Sequence, residues 1–276
     1  MQRNLFARML LSLVLVVGIV APFTFLVPNN NVAIVTISSV VKKDNVIEKP
    51  LHRVNLPDFS AISDIPTKKR LFFDFLRPAI EAKNNQLAAD RKRIKHWQSQ
   101  IVLGNDLNSE DQASLQALFN TYRINNTAVT AQNIYKLLER VDTIPTSLIL
   151  VQAANESAWG TSRFARIGLN FFGIWCYKKG CGMVPNGRIT GDKHEVTAFK
   201  SVDAAVSNYF KNINTNNAYQ SLRDIRTELN IQGKPYDAAL LANGLLLYSA
   251  RGTHYIKEIK DMLRQNKRYF IKPSNL

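Results

Sequence analysis

A chain of 276 residues is long enough for one large domain or two modest ones. Hydrophobic residues make up 46% and charged residues 21%, the balance of a soluble globular body, and with no internal repeat or low-complexity tract this excludes a solenoid or a wholly disordered chain. The 36 Lys and Arg outnumber the 21 Asp and Glu; the excess favours a polyanionic partner (nucleic acid, anionic lipid or an acidic polymer) or simply solubilises the surface, and it does not choose among these.

Arg3 and Arg8 precede an uncharged apolar run from Met9 to Val27. Its length matches the roughly 20 residues of a membrane-spanning helix. A cleavable signal peptide, with an apolar region of about 7–15 residues, is the competing reading. The cleavage candidate around Ala21 has Ile19 two positions before it and Pro22 directly after, a poor match. Residues 1–28 are therefore read as an uncleaved inner-membrane anchor. Its positive flank stays cytoplasmic, so the rest of the chain faces the periplasm. Residues 29–66 are punctuated by Pro50, Pro57 and Pro66 and include the β-prone Val32–Val41; they read as a linker.

Helical patterning begins at Lys68, where Leu71, Phe72, Phe75, Leu76 and Ile80 share a face and Pro78 is expected to kink or divide the helix. Ser109 to Gln112 is a capping box opening a second helix. These form a helical region, 67–125, expected to pack on a catalytic domain, 126–276. That domain opens with a helix near Ala131–Arg140 and a second one started by Pro145. After Gly173 the glycines at 180, 182, 187 and 191 break the pattern, and HEVTAF supplies the best strand, which suggests a loop and a small hairpin. Ser201 can cap a further helix, and others follow near Ala218–Leu229, Asp237–Leu247 and His254–Arg268.

Cys176 and Cys181 are the two cysteines of the chain. In an oxidising compartment so close a pair can form a disulfide, with two independent thiols as the alternative. No metal site is expected, because neither a second cysteine pair nor a histidine at ligand spacing accompanies them. No cofactor is called for.

Glu156 ends a helix that is otherwise apolar or small. Desolvation there would raise its pKa, as a glycosidase acid requires, although a Glu reaching solvent at a helix end has the same pattern. The surrounding motifs add more. QAANESAWGTS resembles the A-x-x-E-S-x-W-G-x-S signature of bacterial glucosaminidase domains of the glycoside hydrolase family 73 type. NFFGIW, Asn170 to Trp175, is similar to their N-L-F-G-I motif. AFKSVDAAVSNY and LLLYSARGTHYIKEI resemble two later motifs. The likeness extends to the proteobacterial Bax proteins in KRLFFDFLRP, the short-spaced cysteines and HEVTAF.

The resemblance implies a mainly α (α+β) fold: a lysozyme-like helical domain with a small β-hairpin beside the active-site groove, preceded by the membrane helix. It implies cleavage of the β-1,4 bond after N-acetylglucosamine in peptidoglycan, with Glu156 as general acid. Tyr248 aligns with the family's active-site tyrosine and Tyr255 with a second one. Asn170, Phe172, Trp175 and Tyr255 are the expected substrate-binding residues. Core packing competes with sugar stacking for Trp159 and Phe172. The loop before HEVTAF departs from the family pattern, so Glu195 is only the nearest equivalent of a second catalytic carboxylate; a surface carboxylate on the hairpin is the alternative. Rival functions are a lytic transglycosylase and a non-catalytic wall-binding scaffold. A nucleic-acid binder rests on charge alone and suits an envelope location poorly.

Overall fold

The computed structural model describes residues 48–125, 128–189 and 191–271. The anchor expected over 1–28 lies outside these residues. Among the described ones, no helix is long and apolar enough to cross a membrane.

The spine is α1, Ile65–Val102, capped by the Asp64 carboxylate, which accepts from the Thr67 N–H at 2.8 Å. Phe72, Phe73, Leu76, Ile80, Leu87, Ile94 and Trp97 recur at helical spacing and are buried. Of the kink or division expected at Pro78, division does not occur: the helix runs unbroken through it. Leu76, Ala79 and Ile80 are buried on either side of the proline, so packing holds the helix across its missing hydrogen bond. Residues 48–64, the described part of the expected 29–66 linker, lie on the body as a strap. The Leu51 N–H donates to the Ile167 carbonyl at 2.8 Å, Lys200 Nζ donates to the Leu51 carbonyl at 2.9 Å, and Glu48 pairs with Arg163. Phe59, 1% exposed, fixes the strap by sinking beside Phe72.

Helices α2 (Ser109–Thr121) and α3 (Ala131–Arg140) lead to α4, Thr146–Glu156. All residues from Leu148 to Ala154 are buried, because α4 is apolar on every side and α1 and other helices cover it. The short α5 (Arg163–Gly168) follows, and then a three-stranded antiparallel sheet in place of a simple hairpin. In it β3 (Glu195–Thr197) lies between β1 (Trp175–Cys176) and β2 (Gly182–Met183). Gly182 permits the approach: a Cβ there would stand 2.0 Å from the Val196 carbonyl oxygen. Beyond the sheet come α6 (Val202–Thr215), α7 (Gln220–Ile231), α8 (Ala238–Leu241) and α9 (Thr253–Gln265). The mainly helical fold with one small sheet is thus as the sequence suggests.

Asp142, in the link between α3 and α4, is the polar hub of this body. Its carboxylate accepts from Tyr236 Oη at 2.6 Å and Asn230 Nδ2 at 2.9 Å, and it pairs with Arg91 of α1 at 3.1 Å and with the buried Arg226 of α7 at 3.7 Å.

Candidate active site

The polypeptide leaves α4 through a turn that positions Glu156 at its C-terminal end. Ser157 Oγ donates back to the Ala153 carbonyl at 2.6 Å and accepts the Gly160 N–H at 2.9 Å. Ala158, Trp159 and Gly160 all have positive φ. The indole of Trp159 packs on Phe72 and Phe73 and under the Lys69 ammonium, so it is a packing residue. Gly160 faces Phe59 of the strap, where a Cβ would meet the ring at 2.5 Å. The E-S-x-W-G residues after the acid therefore build the turn that aims it.

Glu156 opens into a cleft of about 790 Å³. The Phe172–Gly173–Ile174 segment and Trp175 form part of its lining, α6 contributes Asn208, Lys211, Asn212 and Thr215, and Tyr219, Leu247 and Tyr248 line it too. Glu156 is the one acidic residue lining it among the described residues. The site of Gly173's absent side chain lies 3.5 Å from Glu156 Oε2, so its glycine leaves the carboxyl uncovered.

Burial raises the pKa of Glu156. Polar contact with Tyr255, the charge of Arg251 and polar contact with Asn155 pull it back, and the charge of Glu258 adds to the rise. Tyr255 is itself fully buried and held from behind: Gln152 Nε2 donates to its Oη at 3.1 Å, and the Tyr209 hydroxyl donates to Gln152 Oε1 at 2.5 Å. Gln152 and Glu156 stand one turn apart on α4, so a chain of polar contacts from Tyr209 through Gln152 and Tyr255 ends on the acid.

Tyr248 lies in the cleft wall, stacked on Tyr255 at 5.4 Å, and its hydroxyl donates to the Phe172 carbonyl at 2.9 Å. Phe172 is buried and stacks on Tyr209 at 4.4 Å, so its ring is chiefly core. Asn170 is buried too, its amide consumed by the loop. It donates to the carbonyls of Ile174 and Thr197 at 2.8 and 2.9 Å and accepts from the N–H groups of Ile174 and Phe172 at 3.0 and 3.3 Å. Asn170 therefore positions the loop beside Glu156 and ties it to β3. Trp175 and Tyr177 are open aromatic surfaces of the cleft, 55% and 74% exposed, and Trp175 stacks on His194 at 4.2 Å.

Cys176 and Cys181 form a disulfide. Glu195, opposite Cys176 in the sheet, is 5% exposed and accepts from the N–H groups of Gly180 and Gly182 at 2.9 and 2.8 Å. Those bonds hold its pKa below the usual carboxylate range. It is not among the cleft-lining residues; its carboxylate closes the disulfide loop. The nearest sequence equivalent of a second catalytic carboxylate thus has its oxygens taken up by two backbone N–H groups of that loop, and it is buried rather than at the hairpin surface.

Sequence reasoning missed Gln152, Tyr209 and Arg251. Gln152 leaves a readable trace, a lone amide in an apolar helical run one turn before the acid.

Residues 131–268 match the Glucosaminidase family, described as mannosyl-glycoprotein endo-beta-N-acetylglucosaminidase. The chain is also similar to Protein bax of Escherichia coli (strain K12), 32% identical over 217 residues that span 78% of this chain and 75% of that protein. No solved structure matches.

Proposed function

We propose, from the premise that this chain belongs to the glucosaminidase family, that it cuts the β-1,4 bond after N-acetylglucosamine in peptidoglycan strands. The observation that carries this is one half-buried acid, Glu156, with a raised pKa in a cleft that has an aromatic and an amide-bearing lining. The protonated carboxyl gives its proton to the glycosidic oxygen as the C1–O bond breaks. With no second acid in the lining among the described residues, the substrate's own 2-acetamido oxygen is the group that bonds to C1. The Tyr248 hydroxyl proton is committed to the Phe172 carbonyl, so the phenol oxygen is left to accept the acetamido N–H. Water then opens the resulting ring, Glu156 takes its proton, and configuration at C1 is retained.

The same single acid fits a lytic transglycosylase, in which a substrate hydroxyl replaces water. We further place the catalytic body in the periplasm behind the Met9–Val27 anchor, a location that suits the Cys176–Cys181 disulfide.

Digestion of purified peptidoglycan, with mass analysis of the fragments, tests the reaction. Hydrolysis gives reducing N-acetylglucosamine ends, whereas a transglycosylase gives anhydro-muramyl ends lighter by one water. Glu156→Gln should lower the rate by about 10² or more. Fresh product examined by NMR should show retention. Inverted product, together with lost turnover in a folded Glu195→Gln protein, would make Glu195 the base and sink the one-carboxylate route.

A further inference from the structure

Helix α6 turns a polar stripe into the cleft. Asn208, Lys211, Asn212 and Thr215 recur at i, i+3, i+4 and i+7 and all line it. Arg123, in the connection after α2, lines the same cleft, and the Arg140 guanidinium pins its carbonyl at 2.8 Å. Arg123 and Lys211 are exposed, and among the described residues neither charged end has a hydrogen bond or ion pair. The charges weighing most on Glu156 are those of Arg251 and Glu258, not of these two cations. Two open cations in a cleft whose one acid must be neutral to work make its lining positive. A neutral sugar polymer offers such a lining hydrogen-bond acceptors but no countercharge, whereas a substrate carboxylate would pair with it.

We propose that Arg123 and Lys211 read carboxylates on the substrate, so that the cleft selects glycan strands with acidic substituents over neutral polymers of N-acetylglucosamine. The proposal rests on the glycosidase reading of the cleft. In a peptidoglycan strand the carboxylate is either the lactyl group of N-acetylmuramic acid or one on the stem peptide.

The test is calorimetric titration of the full-length Glu156→Gln protein, which leaves the ligand whole. The ligands are two hexasaccharides, chitohexaose and an alternating N-acetylglucosamine–N-acetylmuramic acid strand with free lactyl groups. The acidic strand should bind about tenfold tighter at low salt, and the advantage should shrink at high salt because exposed charges are screened. Added Lys211→Gln or Arg123→Gln should each weaken the acidic strand about two- to fivefold, the range of an exposed ion pair. Neither should move chitohexaose binding, and Lys211→Arg should retain the preference. The same strand carrying stem peptides, where the lactyl carboxyl is an amide, tells the two carboxylate sources apart. Equal affinity for both hexasaccharides, or losses shared by both, would overturn the proposal. Binding is read without turnover, so the two readings fail separately. A preference without wall cleavage by the unmutated protein sinks the glycosidase reading; cleavage without a preference sinks this one.

Discussion

Burial keeps Glu156 protonated into a range where an exposed carboxylic acid has ionised. A carboxyl whose pKa is raised on folding binds more protons in the native state than in the unfolded chain. Its contribution to stability therefore falls as pH rises above the unfolded value, and it levels off above the folded one. Glu156→Gln should thus raise Tm at pH 7 while removing cleavage, and calorimetry across pH should show a flatter profile than the parent's. Arg251 and Glu258 form an ion pair at 2.7 Å and act on Glu156 with opposite signs. Removing Arg251 favours the neutral acid, so Arg251→Gln should move the alkaline limb of the rate profile to higher pH. Glu258→Gln should move it lower. Rate profiles of the two variants that shift the same way would contradict this balance. Glu156 was legible from its motif, and Trp159 as a packing residue was an alternative the sequence already posed. The role of Glu195 was not legible, because the N–H groups of Gly180 and Gly182 come to it through irregular loop geometry that has no period.

Helices were easier to read than strands for a physical reason. A helix such as α1 repeats its buried positions over many turns, whereas β1 and β2 have two residues each and show no alternation. The undivided course of α1 through Pro78 also escaped local reasoning, because neighbouring buried side chains override the proline's preference. The turn after Glu156 gives the sharpest test at this scale. Gly160 has a φ of 78° and Phe59 fills the space a Cβ would need. Gly160→Ala combines backbone strain with overpacking and should cost about 2–4 kcal/mol. Chemical denaturation should show that loss, with an unchanged denaturant midpoint refuting the proposed fit. Activity should drop with it, since the turn aims the acid.

At the scale of the whole molecule, the family-matching segment is only part of what folds. Residues 131–268 exclude α1, yet Phe72, Phe73, Leu76, Ile80 and Leu87 supply one side of the core. A fragment of residues 131–276 should therefore fail to give a cooperative melt, whereas one starting at Glu48 should melt as a unit; circular dichroism on both decides it. Arg91 of α1 adds a polar tie to Asp142, the buried hub that also holds Arg226. That tie was invisible in the sequence because its members lie far apart in the chain and none sits in a motif.

The strap gives this body a mechanical property. Tension applied to the chain from the side of Glu48 meets the pair with Arg163 and the hydrogen bond from Leu51 to Ile167. Once these yield, the load falls on Phe59, wedged against Gly160 four residues beyond Glu156. Pulling Phe59 out would empty the space against which the turn after Glu156 is braced. A force that loosens the strap should then disturb the turn that carries Glu156, coupling the segment from Glu48 to the candidate active site as a tendon is to a joint.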